Sequence, residues 1–204
     1  MKASTRVGLA LALLLSALAL TGFTWSAAQS QAMLRVNPRT LEIRPGRQAS
    51  FDLEVLQVSG LYGAEIHIAF DPQLLEVVDA EPSEEGVQIE PGTFPSPDFL
   101  VRNAADNEAG TIDYAVTQLP PSQPGDGEGT VARVTFRAKA TGTSRIQIDQ
   151  FLLADYEGGG ISAIAQHGQV TVENSSTRTL VTAIGIAALV LIGGGIGFVI
   201  TRRK

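Results

Sequence analysis

Few side chains in this 204-residue sequence could carry acid–base or nucleophilic chemistry. There is no cysteine, and the two histidines are His67 and His167, so a thiol nucleophile and a cysteine metal site are excluded. The Gly-x-Ser-x-Gly pattern that positions a nucleophilic serine is absent. Glu84 and Glu85 are adjacent, but they lie in a polar segment that cannot hold two carboxylates at the fixed separation that glycoside hydrolysis requires. These residues predict that the protein is not an enzyme.

Two acidic segments could offer oxygen ligands to a metal ion. They are Asp126-Gly127-Glu128 and Asp155-Tyr156-Glu157. Neither has the ligand spacing of a helix–loop–helix calcium site. We therefore interpret both as solvated loops, and we predict no metal ion and no other cofactor on this chain.

A strand with two chemically different sides contains the best candidates for a binding surface. Successive side chains of a strand point to opposite sides, and those between residues 62 and 70 divide into two sets. The apolar set, which predicts a buried side, is Tyr62, Ala64, Ile66, Ile68 and Phe70. The other set, which predicts a solvent-facing side, is Gly63, Glu65, His67 and Ala69. We take the solvent-facing side as the candidate working surface and interpret His67 as a contact residue, not as a general base.

Short strands separated by turns are predicted to position this surface. Asp71-Pro72 ends the strand, because proline cannot donate a ladder hydrogen bond. Thr111–Leu119 and Arg145–Leu153 read as further strands, whereas residues 81–97 and 120–129 are predicted to be loops from their proline, glycine and polar content. In total, about nine strands and no convincing soluble helix predict an antiparallel β-sandwich.

The charge distribution limits the class of partner. All 21 acidic residues but only 10 of the 15 basic residues lie between residues 29 and 178, so this segment carries a net charge of −11. Such a charge argues against binding to nucleic acid or to an acidic membrane surface. It is compatible with a basic partner or with divalent cations.

The two ends of the chain are predicted to lie outside the folded domain. Lys2 and Arg6 precede a short apolar run that is followed by Ser26-Ala27-Ala28, the pattern of a cleaved signal peptide. Leu180–Ile200 is apolar and long enough to span a bilayer as a helix, and the basic residues after it predict a cytoplasmic end. The predicted organisation is a signal peptide (1–28), an extracellular β-sandwich domain (29–173), a linker (174–179), a transmembrane helix (180–200) and a cytoplasmic tail (201–204). The protein is thus expected in the cell membrane, with its domain outside the cell.

Three segments of the sequence resemble cohesin modules. They are Gly60–Val78, with the phrase Phe-Asp-Pro-x-Leu-Leu-Glu-Val at residues 70–77, Gly129–Phe136 with Ala140–Thr143 after it, and Gly168–Val172. The resemblance extends over residues 34–173. It implies a nine-stranded antiparallel sandwich with jelly-roll topology that binds dockerins, which are small calcium-dependent helical modules of other secreted or surface proteins. It also implies that calcium is expected on the dockerin partner and not on this chain.

The resemblance further implies which residues would contact the dockerin. In cohesins the partner lies on the sheet that contains strands three, five, six and eight. The corresponding positions are Gly63, Glu65 and His67 on the third strand, Arg102 and Asn103 on the fifth, Asp113, Ala115 and Thr117 on the sixth, and Tyr156 in the loop after the eighth. Glu65 stands where cohesins often have an acidic or amide residue that accepts hydrogen bonds from the dockerin helix.

A carbohydrate-binding or adhesion module at the cell surface is the alternative. Sandwich folds of this kind also bind polysaccharides, and fold alone does not decide function. Sugar rings are usually held by stacked aromatic side chains, whereas the one tryptophan, Trp25, lies in the predicted signal peptide. Phe94, Phe99 and Tyr156 are the aromatic residues that are expected to be exposed.

Overall fold

Alternating apolar and polar residues form twelve β-strands in the computed structural model, which describes residues 31–174. The strands are β1 Ala32–Asn37, β2 Thr40–Ile43, β3 Gln48–Leu61, β4 Gly63–Ala69, β5 Leu75–Val77, β6 Glu90–Pro91, β7 Phe99–Asp106, β8 Thr111–Thr117, β9 Gly125–Ala138, β10 Gly142–Ala154, β11 Ala163–Gln166 and β12 Gly168–Val172. All described residues belong to one compact unit. None of them forms a helix that could cross a membrane. The predicted signal peptide (1–28) and the predicted transmembrane helix (180–200) lie outside the described residues.

The strands form two six-stranded sheets. The first sheet has the order β11-β1-β3-β9-β5, with β6 also paired to β9, and the second has the order β2-β12-β10-β4-β8-β7. The apolar sides of both sheets contribute to one core. In it, Leu34, Leu53 and Phe136 of the first sheet and Ile66 and Tyr114 of the second are at most 1% exposed. The prediction of an all-β sandwich is confirmed.

The prediction of nine antiparallel strands is wrong in the count and in part of the direction. Residues 31–174 contain twelve strands, and the pairs β1–β11 and β2–β12 run parallel. Two segments that the sequence predicted to be loops contain paired strands. Strand β6 lies within residues 81–97, and β9 begins within residues 120–129. There Gly125, Gly127 and Gly129 pair with the far half of β3. Such pairing depends on a strand that is distant in sequence, so local composition does not reveal it. The jelly-roll topology stays a prediction from the resemblance.

Strand β4 lies between β10 and β8, where its buried side fixes the direction of its exposed side. Ile66 and Ile68 are 0% and 2% exposed, and burying each of them contributes roughly 1.5–3 kcal/mol before entropy costs. Phe70, directly after the strand, meets Phe136 of the first sheet with ring centroids 5.1 Å apart. Because this side of β4 is fixed in the core, Glu65 must point away from it.

The β7–β8 hairpin brings further polar residues beside β4. Its turn ends at Gly110, which has a φ of +75° that glycine adopts without steric cost. The Gly110 carbonyl accepts a hydrogen bond from the Phe70 N–H at 2.8 Å. A Cβ at position 110 would overlap the Phe70 carbonyl and the Pro72 ring. The turn is therefore locked to the end of β4, and this aligns β8 and its Asp113 with β4.

Candidate functional site

The solvent side of β10, β4, β8 and β7 forms the candidate site, which we call the outer face. Strand pairing places its residues in three rows, each of which crosses the four strands in that order. The rows are Gln150, His67, Asp113 and Ala104, then Leu152, Glu65, Ala115 and Arg102, then Ala154, Gly63, Thr117 and Phe99. Seven of the nine residues selected through the resemblance thus share this face, and Tyr156 lies in the loop that follows β10.

Four ionisable side chains on the outer face, Glu65, His67, Arg102 and Asp113, form what we call the His67 cluster. The ring of His67 lies between two carboxylates. Its Nδ1 is 2.7 Å from Oδ1 of Asp113, and its Nε2 is 3.0 Å from Oε1 of Glu65. Arg102 donates from Nε to Oδ2 of Asp113 at 3.2 Å, and its Nη2 is 3.1 Å from the same oxygen. The cluster therefore links β4, β8 and β7.

Contacts within the His67 cluster favour a charged histidine. The hydrogen bond with Asp113, followed by the one with Glu65, raises the pKa of His67 above its ordinary value. The same hydrogen bond with His67, helped by the charge of Arg102, lowers the pKa of Asp113. The cluster consequently holds an imidazolium between two carboxylates over a wider pH range than an isolated histidine would.

The His67 cluster is not arranged to bind a metal ion. Metal ligands must converge on one ion, but Glu65 and Asp113 contact opposite nitrogens of the imidazole ring. Within residues 31–174, no group of three or more histidine, aspartate or glutamate side chains is placed to hold a metal ion. The absence of a metal ion from this chain stays a prediction.

The aspartates of the two acidic segments that were considered as ligands both have partners within the domain. Asp126 accepts hydrogen bonds from the Ser59 hydroxyl and the Gly60 N–H, both at 2.8 Å. Asp155 accepts hydrogen bonds from the N–H groups of Glu157 at 2.9 Å and Gly159 at 2.7 Å. Aspartate commonly stabilises turns as Asp155 does. Asp126 instead lies on β9 and joins it to β3, so the interpretation of residues 126–128 as a solvated loop is wrong.

Large apolar side chains are exposed on the strands of the outer face and on the loops at their ends. Phe99 is 53% exposed and Leu152 is 49% exposed. Among the described residues there are seven such side chains, and six lie on β7, on β10 or in the loops after β8 and β10, with Ile164 of β11 as the exception. Phe99 and Leu152 belong to the outer face by register, and exposed apolar side chains grouped in this way are typical of an interaction surface.

Tyr156 is held at the end of the outer face by a second tyrosine. Its ring meets the ring of Tyr62 edge-on, with centroids 5.0 Å apart, while the residue remains 61% exposed. Together with Pro120, Pro121 and the three residues after them, it lines a cavity of about 340 Å³. A tyrosine that is anchored in this way can supply contact area at little cost in conformational entropy.

Two residues selected through the resemblance do not offer a side chain to a partner. Gly63 belongs to the outer face by register but is buried, because the side chain of Thr117 lies over it, 3.4 Å from where a Cβ would be. Asn103 is hydrogen-bonded to the segment that precedes β6. Its Oδ1 accepts from the Ile89 N–H at 2.9 Å, and its Nδ2 donates to the Ile89 carbonyl at 2.8 Å. Both positions therefore support the fold around the site.

Leu152 and Gln150 are outer-face residues that sequence reasoning does not select. Uninterrupted alternation from the buried Ile146 would place Leu152 in the core, but a bulge at Asp149 shifts the register between Ile148 and Gln150. A bulge reverses the side to which the later residues point. The available signal is the run Phe151-Leu152-Leu153, because a strand with one buried side cannot bury three consecutive apolar residues.

The outer side of the first sheet is largely neutralised by its own ion pairs. These are Arg35 with Glu54 at 2.7 Å, Arg133 with Asp52 at 2.6 Å, and Arg137 with Glu76 at 2.8 Å. Charges that are already paired within a surface have less to gain from a partner. The charges of the His67 cluster are paired as well, so it is the exposed apolar side chains of Phe99 and Leu152 that make the second sheet the better candidate for binding.

Known proteins with the same fold are cohesins. The cohesin domain family profile matches residues 36–179, while the sequence matches no curated protein. A type II cohesin domain from the cellulosome of Acetivibrio cellulolyticus superposes with a TM-score of 0.59 at 17% identity, covering 69% of this chain and 95% of that one. A non-cellulosomal cohesin from the archaeon Archaeoglobus fulgidus gives 0.57 at 10% identity, with 74% and 96% covered. The Coh-OlpA-Doc918 cohesin–dockerin complex from Clostridium thermocellum gives 0.57 at 13% identity, with 71% and 100% covered. These structural similarities concern the fold.

Proposed function

The chain belongs to the cohesin domain family, and from this premise we propose that it captures dockerin-bearing proteins through the outer face. Cohesin domains are non-catalytic protein-interaction modules. The observation that carries the proposal is the family match over residues 36–179. The His67 cluster and the exposed apolar side chains beside it supply a surface on which such a module can lie.

The composition of the outer face supports binding to a protein. Protein interfaces combine apolar anchors with polar contacts, and a few residues contribute most of the binding free energy. Phe99 and Leu152 are the apolar anchors of this face, and Tyr156 lies at its end. Glu65 stands in the same row as Leu152 and offers an exposed carboxylate. A dockerin helix lying across β4 and β8 would also reach β7, which carries Phe99, and β10, which carries Leu152.

Calcium and location complete the proposed function. We assign calcium to the dockerin partner and no cofactor to this chain. We also propose that capture takes place at the cell surface, because a cleaved signal peptide and a membrane helix over residues 180–200 would leave the domain outside on a short linker. The net charge of −11 between residues 29 and 178 favours a partner with a basic contact surface.

A binding array tests this proposal. The chain is immobilised, and every dockerin module encoded by the source organism is passed over it with calcium and again after chelation. We expect at least one dockerin to bind in calcium and to dissociate on chelation, because a small metal-dependent module loses its fold without the ion. Retention of the chain on an insoluble polysaccharide, with no dockerin bound, would support the carbohydrate-binding alternative instead.

A matched pair of variants identifies the surface that binds. Leu152→Lys lies on the outer face, and Ile164→Lys replaces a similarly exposed residue (49% and 44%) of the first sheet. We expect Leu152→Lys to weaken dockerin binding by about tenfold or more, because it replaces an exposed apolar side chain of the middle row with a charged one. Ile164→Lys should leave the affinity unchanged. The reverse pattern would place the binding surface on the first sheet and contradict the proposal.

A further inference from the structure

Both ring nitrogens of His67 contact carboxylate oxygens, at 2.7 Å on Asp113 and at 3.0 Å on Glu65. A neutral imidazole has one N–H donor, and an ionised carboxylate can only accept. Both contacts therefore form together only when the ring is protonated. When the imidazolium loses one of its two N–H protons, one of the two carboxylates must lose its hydrogen bond.

Glu65 is the carboxylate that is released. The contact with Asp113 is the shorter one, and Asp113 is also held by Arg102 at 3.1 Å, with its side chain 32% exposed. The side chain of Glu65 is 53% exposed, and among the described residues its one bonded partner is His67. The neutral ring therefore keeps its proton on Nδ1, directed at Asp113. Glu65 then becomes a free acceptor in the middle row of the outer face.

The groups that face His67 from the neighbouring strands do not replace the lost contact. On β8 the facing group is Asp113, and on β7 Arg102 reaches the ring only through Asp113. On β10 the residue opposite is the uncharged Gln150, and the bulged Asp149 accepts a hydrogen bond from Gln147 at 2.7 Å. The His67 cluster is thus electrically neutral when His67 is protonated and carries one net negative charge when it is not.

We propose that Glu65 receives a cationic side chain of the partner and that protonated His67 competes for the same carboxylate, so that capture is stronger at neutral and alkaline pH than in acid. This inference rests on the proposed capture of a dockerin and specifies it further. The captured module presents a lysine or an arginine where its contact surface meets the middle row of the outer face. On acidification, the protonated ring of His67 donates a hydrogen bond to Glu65, so this carboxylate no longer binds the partner's cation and the partner is released.

The expected size of the effect follows from the exposure of the site. Protonation places one additional positive charge a few ångströms from the partner's cation, at a position that is partly open to solvent. At such distances and effective dielectric constants, one charge changes an affinity by roughly three- to tenfold. A change of this size is readily measured.

The test measures the affinity of the full chain for the dockerin that binds best in the array. It is measured at about pH 5.5 and at about pH 8, which lie on either side of the ordinary pKa of histidine. We expect the unmodified chain to bind roughly three- to tenfold more tightly at the higher pH. His67→Gln keeps a hydrogen-bond donor for Asp113 but cannot titrate. The affinity of this variant should therefore not show the roughly three- to tenfold change between the two pH values. His167→Gln is the matched control and should retain it. Titration of the dockerin itself contributes equally to all three chains, so an equal pH dependence in the unmodified and His67→Gln chains would overturn the inference.

A second measurement separates this inference from the proposed function. Nitrogen-15 NMR of the free chain with labelled histidine gives signals from two residues, and His167→Gln assigns them. We expect His67 to hold both protons to a higher pH in the unmodified chain than in Glu65→Gln. An unchanged His67 pKa in Glu65→Gln would overturn the inference even if a dockerin binds. Failure of every dockerin to bind at either pH would contradict the proposed function itself, and the inference with it.

Discussion

His67 and Asp113 each stabilise the charged form of the other, and the two shifts act in different pH ranges. The raised pKa of His67 contributes stability that is fully present below its ordinary value of 6.5 and is lost as the pH rises through the folded value. The lowered pKa of Asp113 contributes stability that is present above its ordinary value of 3.8 and is lost as the pH falls through the folded value. Both contributions are present together between these two limits.

This window gives a prediction for stability at the residue scale. His67→Gln should lower the free energy of unfolding at about pH 5, by no more than about 1 kcal/mol because the pair is partly exposed. At about pH 8.5 the loss should be smaller, because the charge of His67 is lost as the pH rises. Urea unfolding at both pH values measures the difference. A loss of the same size at both would show that the side chain contributes through packing alone.

Acid therefore affects the fold and the proposed binding in opposite directions. Protonated His67 stabilises the domain through its contacts with Asp113 and Glu65, and the same contacts occupy the carboxylate that a cationic partner would use. The two effects can be separated by experiment, because stability is measured on the free chain and affinity on the complex.

At the scale of elements, the β7–β8 hairpin aligns the charged residues of two strands with β4. Gly110 closes its turn at a φ of +75°, in contact with the end of β4. Gly158, in the loop after β10, has a φ of +82°, but no neighbouring atom lies within 4 Å of the point where a Cβ would be. The two glycines thus share a backbone conformation and differ in the space around them.

Alanine at each of these glycines separates backbone strain from steric overlap. Gly110→Ala should lower the free energy of unfolding by about 2–4 kcal/mol, because the new methyl group overlaps the Phe70 carbonyl and strains the turn. Gly158→Ala should cost about 1 kcal/mol, since it adds strain alone. Urea unfolding of both variants checks this. Losses of equal size would mean that the Gly110 turn is not packed against β4 as described.

Local sequence patterns predict some of these elements and not others. The alternation from Tyr62 to Phe70 predicts the buried and exposed sides of β4 correctly, because that pattern depends on consecutive residues of one strand. It fails at Leu152, where the bulge at Asp149 reverses the direction of the side chains. It also fails for β6, whose pairing partner β9 begins 34 residues after the end of β6 in the sequence.

The candidate site could be predicted only in part, for similar reasons. Glu65 and His67 follow from the alternation in β4, and Asp113 follows from the corresponding pattern in β8. The bond between His67 and Asp113 depends on the register between two strands, which no single segment contains. Asn103 looks like a surface amide in the sequence, yet both of its polar atoms bind the backbone of Ile89. Contacts between distant segments decide these roles.

At the scale of the whole molecule, the two sheets differ in how their charges are arranged. The first sheet pairs arginines with carboxylates across neighbouring strands, as in Arg133 with Asp52. The outer face of the second sheet combines the His67 cluster with exposed apolar residues such as Phe99. Both sheets pair most of these charges internally, so the exposed apolar side chains are what allow the outer face to gain contacts from a partner.

The affinity of the Glu65→Arg chain for dockerin tests this account most directly. Charge reversal at the middle row of the outer face should weaken binding by about 2 kcal/mol or more, roughly 30-fold, while the circular dichroism spectrum stays that of the unmodified chain. Glu90→Arg, an exposed reversal on the first sheet, should leave the affinity unchanged. Unchanged binding by a folded Glu65→Arg chain would contradict the claim that the outer face of the second sheet captures the partner.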